Sequence, residues 1–339
     1  MGITGLLPLV KPALVRRPIA AYRNKKVGID GHSWLYQTSH AIAQDVFYGI
    51  PTTRHHPFIL NRIDSLKKAG VTPIVVFDGD LLPSKYTTNE SRKQAKLKIK
   101  EEILEHIKQG NMAQAKNLMP RCVSIKPMIV QSTIELLKKE SIEYIVSPYE
   151  SDAQLTYLQR IGYIDAIMTE DSDFIPYGCT NLLYKFDGKH MWEYKKERLV
   201  NVKDNFFADN ILQICILSGC DYLPSIHGVG LLTAYKLLKK HGSVEAIIAE
   251  LSVKKEIPTE YIKEFVRAEE TFKNQVVYDP IKKRRIFLSG ETSSKFSNYE
   301  FLGSFLEETV EYKTAMGELL GKYDDIKLES IKISDDVKV

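Results

Sequence analysis

Cysteine is scarce in this sequence: Cys122, Cys179, Cys215 and Cys220 are the four among 339 residues, and none has C-x-x-C spacing. That excludes a disulfide framework and gives no zinc-site pattern, so the four read as reduced thiols. No apolar run reaches the roughly 20 residues that a membrane helix needs, and the first residues lack the apolar core of a secretory signal. "MGITGL" opens as a myristoylation site does, but Leu6 stands where Ser or Thr is wanted. Internal repeats and low-complexity segments are also missing. These absences predict an intracellular protein without a membrane anchor.

What is present fits an ordinary globule, with 44% hydrophobic and 27% charged residues. The length suffices for one large α/β domain, or one domain plus a helical appendage. A formal net charge of +4 is compatible with a nucleic-acid partner without establishing one. The runs "KKVGIDG" (25–31), "VTPIVVFDGD" (71–80), "SIEYIV" and "IDAIM" predict strands, and "HPFILNRIDSLKKAG" predicts a helix with Gly70 as its C-cap. Strand alternating with helix predicts an α/β fold with a doubly wound, mostly parallel sheet.

Residues 84–119 break that rhythm with a long polar helical stretch. From Ser84 to Lys100 it carries six bases (Lys85, Arg92, Lys93, Lys96, Lys98 and Lys100) against the single acid Glu90. Such a run alone is usually a solvated face. Lys85, Arg92 and Lys96, however, are spaced by seven and four, which puts them on one side of a continuous helix, as a phosphate-tracking element requires. From 206 the reading turns helical, with "FADNILQICILSG", a Gly- and Pro-punctuated loop "CDYLPSIHGVG", and the helix "LLTAYKLLKKHG". The predicted divisions are 1–83 and 131–205 for the sheet, 84–130 for the basic helical insertion, 206–290 for the helical region, and 291–339 for a C-terminal helical extension.

The chemistry concentrates in acids. "IMTEDSDFIPYG" (167–178) sets Glu170, Asp171 and Asp173 side by side after an apolar run. One such cluster is commonly a solvated turn. Here, though, Asp30 and Asp78 also end apolar strands, and strand carboxyl ends are where an open parallel sheet binds ligands. Glu150 and Asp152 follow in "SPYESDAQLTYLQR", where Ser147 and Glu150 have capping-box spacing. Asp221 in "SGCDYL" closes a helix, where the macrodipole disfavours an acid. Asp30, Asp78, Glu150, Asp152, Asp171, Asp173 and Asp221 form an all-oxygen set that suits Mg²⁺, with Mn²⁺ as a substitute, and argues against zinc. So many carboxylates exceed the needs of one ion and match two metals clamping a phosphodiester.

In order and spacing, "MGITGLLP", "VFDGDLLPSK", "SPYESDAQLTYL", "TEDSDFIPYG", "ILSGCDYLPSIHGVG" and "VVYDPIKKRRI" resemble the structure-specific 5′ nucleases of the flap endonuclease/XPG-like superfamily. Their wording is nearer the exonuclease 1 branch than the flap endonucleases. The resemblance covers residues 1 to about 290. It implies a Mg²⁺-dependent 5′ to 3′ exonuclease and endonuclease acting on double-stranded DNA with nicks, gaps, recessed ends or 5′ flaps. That hydrolase would be a nuclear monomer in DNA repair, and mismatch-repair proteins would be met through a tail that this chain does not contain. It assigns Asp30, Asp78, Glu150 and Asp152 to one metal and Asp171, Asp173 and Asp221 to the other. It puts Lys85 and Arg92 at the scissile phosphate from a helical arch, with Asp78 and Asp173 among the catalytic acids. Gly2, His32, Tyr36, Lys96, Ser225, Gly228, Gly230 and Lys236 become DNA contacts. "SIHGVG" with the helix after it becomes a helix-two-turn-helix, whose backbone at Ser225, Ile226 and Val229 would hold K⁺.

This chain departs from the pattern at His32, where the family has Tyr, at Tyr36, where it has His, and at Ala95–Lys96, where it has an arginine pair. Two rival enzyme readings fail. A haloacid-type phosphatase wants D-x-D after its first strand, where this sequence has Asp30-Gly31-His32, and a Toprim reading of Asp171-Ser172-Asp173 leaves Asp30 and Asp78 idle. A junction-binding protein without catalysis predicts gaps among the acids.

Overall fold

The β-branched runs that end in Asp-Gly become neighbouring inner strands of a seven-stranded sheet. In the computed structural model, which describes residues 2–290 and 299–305, the strands are β1 (Leu14–Pro18), β2 (Lys26–Asp30), β3 (Thr72–Phe77), β4 (Glu143–Val146), β5 (Ala166–Met168), β6 (Asn181–Tyr184) and β7 (His190–Lys195). They lie in the order β1-β7-β6-β5-β2-β3-β4. Strands β2 to β6 are parallel, β7 runs antiparallel beside β6, and β1 pairs antiparallel with β7 at the edge. The sheet is therefore mixed. The sequence pattern missed β1, β6 and β7, whose residues alternate less clearly and lie outside the strand-helix rhythm. A separate hairpin joins β8 (Val276–Asp279) to β9 (Arg284–Phe287).

The helices are α1 (Leu6–Leu9), α2 (Gly31–Gln37), α3 (Ser39–Tyr48), α4 (His56–Lys68), α5 (Tyr86–Lys108), α6 (Met112–Cys122), α7 (Pro127–Lys139) and α8 (Ser151–Arg160). They continue as α9 (Asn205–Asp209), α10 (Ile211–Leu217), α11 (Leu231–His241), α12 (Val244–Ser252) and α13 (Tyr261–Asn274). Period-two alternation feeds two cores. Ile74, Val76, Ile145 and Ile167 pack on one face with Leu155, Ile214, Leu238 and Phe265. Val75, Phe77, Tyr144, Val146 and Met168 pack on the other with Trp34, Ile63 and Leu137. Each fully buried apolar side chain of this size contributes about 1.5–3 kcal/mol relative to exposure.

Three helical expectations change in detail. The 84–119 stretch is two helices separated at 109–111, where Gly110 takes φ of +76°. The helix expected over "FADNILQICILSG" (207–219) breaks at Asn210 into α9 and α10. The C-terminal extension at 291–339 lies outside the described residues apart from 299–305, where Glu300–Leu302 form a single 3-10 turn. The C-cap of α4 is Ala69, and Gly70 follows it at φ +78° with its N–H on the Lys67 carbonyl.

The order of strands positions the site. The chain winds outward from β2 to β3 and β4, then returns to lay β5 on the other side of β2. The carboxyl ends of β3, β2 and β5 are therefore adjacent at the place where the winding reverses. Helices α5 and α6 fold on α3 through a small core of Ile42, Ile103, Ala115 and Met119. That packing uses the apolar side of α5 and leaves its basic side toward those strand ends.

Gly79 allows the β3 end to approach the loop before α8. Its N–H donates to the Tyr149 carbonyl at 2.6 Å, and a Cβ would overlap the Ser147 carbonyl oxygen and reach 2.7 Å from that of Pro148. Gly79→Ala should therefore cost about 1–3 kcal/mol in urea unfolding, because backbone on both sides has to move. Gly230→Ala, whose Cβ meets nothing within 4 Å, should stay within about 0.5 kcal/mol of the wild type.

Candidate active site

Three strand ends bring the first acids together. Asp30 closes β2 and caps α2, accepting from the Ser33 N–H at 2.9 Å and the Thr169 hydroxyl at 2.8 Å. Asp78 follows β3 and accepts from the Ser151 N–H at 2.8 Å and its hydroxyl at 2.7 Å. Its own N–H donates to His32 Nδ1 at 3.1 Å, and that nitrogen lies 3.4 Å from the Asp78 carboxylate. Asp171 follows β5 and accepts from the Asp173 N–H at 3.0 Å, while Asp173 accepts from the Ile3 N–H at 2.8 Å. This last bond ties the chain start to the acid cluster. Gly2 lies there at φ +84°, where a Cβ would overlap both carboxylates and the Ser172 hydroxyl.

Two local readings are corrected. Ser147 caps nothing: its hydroxyl donates to the Phe77 and Tyr149 carbonyls. Helix α8 starts at Ser151, with Glu150 at its N-cap position making no side-chain cap bond. The Glu150 carboxylate points elsewhere, accepting from Lys85, from the Tyr222 hydroxyl at 2.5 Å and from Gln275 Nε2 at 3.0 Å. Asp221 lies beyond α10 in a turn bracketed by a Cys220–Leu223 bridge, so the macrodipole does not act on it in the way that its sequence position suggested. It pairs with Lys85 Nζ at 2.9 Å and with Arg92 at 2.6 Å.

Asp30, Asp78, Glu150, Asp152, Asp171 and Asp221 line one groove of about 860 Å³, together with Gly2, His32 and Tyr36. Lys85, Arg92, Lys93, Lys96 and Lys100 line the same groove. Lys85 is the N-cap residue of α5, and the helix is continuous through Arg92 and Lys96, as the seven-four spacing predicted. Lys96 Nζ sits 5.7 Å from the centre of the Tyr36 ring. Ser225, Ile226, Gly228, Val229 and Gly230 lie elsewhere, in the turn before α11, and Lys236 is exposed on that helix.

Sequence reasoning missed the residues that aim these acids. Thr169, Ser151 and Tyr222 were inside the quoted motifs, each next to or two positions from a flagged acid, which was the available signal. Gln275 had none.

The XPG N-terminal domain model matches residues 1–99 and the XPG I-region model matches 141–221. The chain belongs to the XPG/flap-endonuclease family of structure-specific nucleases. Exonuclease 1 of Oryza sativa subsp. japonica is 36% identical over 326 residues, which are 94% of this chain but 39% of the rice protein. The chain is thus an exonuclease 1 homologue in a DNA repair-related nuclease family, spanning well under half the length of that relative. The catalytic core of Rad2 in complex with DNA substrate shares the fold over 80% of this chain and 85% of its own, with a TM-score of 0.59 and 19% identity. The eukaryotic junction-resolving enzyme GEN-1 binding potassium does so over 83% and 66%, with a TM-score of 0.53 and 18% identity.

XPG-family nucleases use divalent metals, and the donor set here fits a hard cation: all oxygen, with several acids crowded and buried. Burial first, and then the charges of Asp78 and Asp171, push Asp30 up to about 7 against the lowering effect of its hydrogen bonds. Burial and neighbouring carboxylates raise Asp152 and Asp173 well above the ordinary range. Burial also opposes ionisation of Asp78 and Asp221, but His32 and Ser151 outweigh it at Asp78, and Lys85 and Arg92 at Asp221, so both are lowered. Among the described residues, no three His, Cys, Asp or Glu side chains already surround one point.

These shifts give a pH signature. Asp30 holds its proton more tightly folded than unfolded, so its contribution to metal-free stability is full below about pH 4 and is lost as pH rises through about 7. His55, pushed down to about 4 by burial and His56, gives the opposite slope between about 4 and 6.5. The wild type minus Asp30→Asn difference separates them. In chelator-treated protein, that difference should fall with rising pH by on the order of 1 kcal/mol per unit between pH 5 and 7. Calorimetric melts across that range check it.

Proposed function

We propose that this chain is a Mg²⁺-dependent 5′ to 3′ exonuclease on double-stranded DNA with 5′-flap endonuclease activity. One observation carries the reading: a single groove has buried carboxylates along one side and the basic face of α5 along the other. A phosphodiester needs both, cations to neutralise developing charge and acids to hold metal. The Rad2 complex of the same fold contains DNA substrate, which supports duplex DNA with nicks, gaps, recessed ends or flaps as the ligand.

Asp30, Asp78, Glu150 and Asp152 would hold one Mg²⁺ and Asp171, Asp173 and Asp221 the other, with Mn²⁺ as substitute. When bound, the pair would lower the barrier to in-line attack of water on the phosphodiester. The chain's own groups do the rest. Ser151, Thr169 and Tyr222 orient carboxylates, Lys85 and Arg92 stabilise charge on the phosphate, and Gly2 leaves room beside Asp171. His32, Tyr36 and Lys96 contact the substrate strand. Helices α5 and α6 act as the arch, and 206–290 as a helix-two-turn-helix region that holds the distal duplex at its phosphates, with K⁺ at Ser225, Ile226 and Val229, as GEN-1's potassium supports. A nuclear, monomeric repair enzyme follows from this reading, with mismatch-repair proteins met through sequence beyond this chain.

The deciding experiment incubates a recessed duplex labelled at its 5′ end and a 5′-flap duplex with and without Mg²⁺. Asp171→Ala or Asp173→Ala should abolish cleavage of both while leaving DNA affinity within a few-fold, since Lys and Arg contacts persist. Binding without cleavage by the wild type would make the chain a junction binder instead. Arg92→Ala should lower the single-turnover rate roughly a hundredfold or more at saturating DNA. A defect that saturation cures would reduce Arg92 to a phosphate anchor.

The open space around Gly230 separates protein stability from DNA contact there. Gly230→Phe should weaken binding equally across duplex sequences, and the loss should vanish on duplexes too short to reach α11. Fluorescence anisotropy at fixed salt measures this.

A further inference from the structure

The two cations proposed for the phosphate are not waiting for it. The half-buried Lys85 ammonium sits between Glu150 and Asp221, and Arg92 takes the second oxygen of Asp221 at 2.6 Å. Thr88 adds a hydroxyl bond to the Asp221 carbonyl at 2.6 Å. Lys85, Thr88 and Arg92 are spaced by three and four, so one edge of the first turns of α5 is fastened to one turn of the chain. Glu150 is turned to face Lys85 by Tyr222 and Gln275.

From this arrangement we infer that Lys85, assisted by Arg92, is an internal counter-ion of the carboxylate site, competing with the divalent cations and released to the phosphodiester when they bind. A lone carboxylate cluster cannot stay ionised and buried without positive charge nearby. The ammonium meets that need at two acids assigned to different metals. When a divalent ion takes Glu150 or Asp221, the Lys85 pair loses its partner, and two like charges cannot share the place. Metal binding and docking of the α5 start on Asp221 are therefore negatively coupled, and by linkage each weakens the other by the same factor. Thr88, bonded to a main-chain oxygen that the metal does not need, keeps the helix start tethered while the two side chains turn toward the groove. The arrangement makes the phosphate-binding charges available after the metal is in place.

The inference rests on the metal-site reading above, and calorimetric titration with Ca²⁺ or Mg²⁺ in the absence of DNA tests both separately. Lys85→Met should bind the ion more tightly than the wild type, by roughly five-fold or more for a typical coupling. Arg92→Ala should shift affinity the same way but less, because its side chain is 53% exposed and its pair is screened. Lys85→Arg should stay near the wild type. In the wild type, saturating Ca²⁺ should speed hydrogen exchange at the amides of residues 85–92, a readout that holds even if Lys85→Met folds poorly. Unchanged or weaker ion binding by a folded Lys85→Met, or exchange at 85–92 that slows with Ca²⁺, overturns the counter-ion role. No divalent-ion binding by the wild type overturns the metal site itself.

Discussion

Repulsion among buried carboxylates is the constraint around which this molecule is arranged. Parallel strands β3, β2 and β5 end side by side, and each delivers an acid to the same edge of the sheet. Coulomb energy between such groups grows steeply as water is excluded. The protein meets it in two ways. Some acids are kept ionised by donors aimed at them, as Ser151 does for Asp78 and as Lys85 and Arg92 do for Asp221. Others, Asp30, Asp152 and Asp173, are left with raised proton affinity. The donor set is all oxygen, which suits a hard cation.

The helical insertion makes sense against this background. Its hairpin has a separate small core with α3, so the polar side of α5 has no packing duty and can carry Lys85, Arg92, Lys93, Lys96 and Lys100 along the groove. The acidic wall and the basic wall face and stabilise one another through Lys85 and Arg92. They also create the mixed field that a nucleic-acid backbone with bound metal would complement.

Much of this was readable in advance because periodicity reports on burial. Strands β2, β3, β4 and β5 are buried on both faces and appear as apolar runs, and the basic side of α5 follows from a seven-four spacing. Strands β1 and β7 were missed because both are partly exposed and mix polar and apolar residues without a clean period. The Ser147 misreading has a physical cause. Local propensity is a weak prior where a loop must satisfy backbone groups of a distant strand, as Ser147 does for Phe77.

The sequence by itself determined which residue types are available: acids at the ends of apolar runs, a one-sided basic helix, and a Gly-rich turn before α11. Those are local facts, governed by side-chain chemistry and by periods of two and 3.6. Only the tertiary structure decided who faces whom. The return of β5 to the side of β2, the reach of Tyr222 and Gln275 to Glu150, and the seating of Lys85 between Glu150 and Asp221 join residues 65 to 139 positions apart. Contacts at such separation depend on strand order and loop closure, which no window along the chain contains.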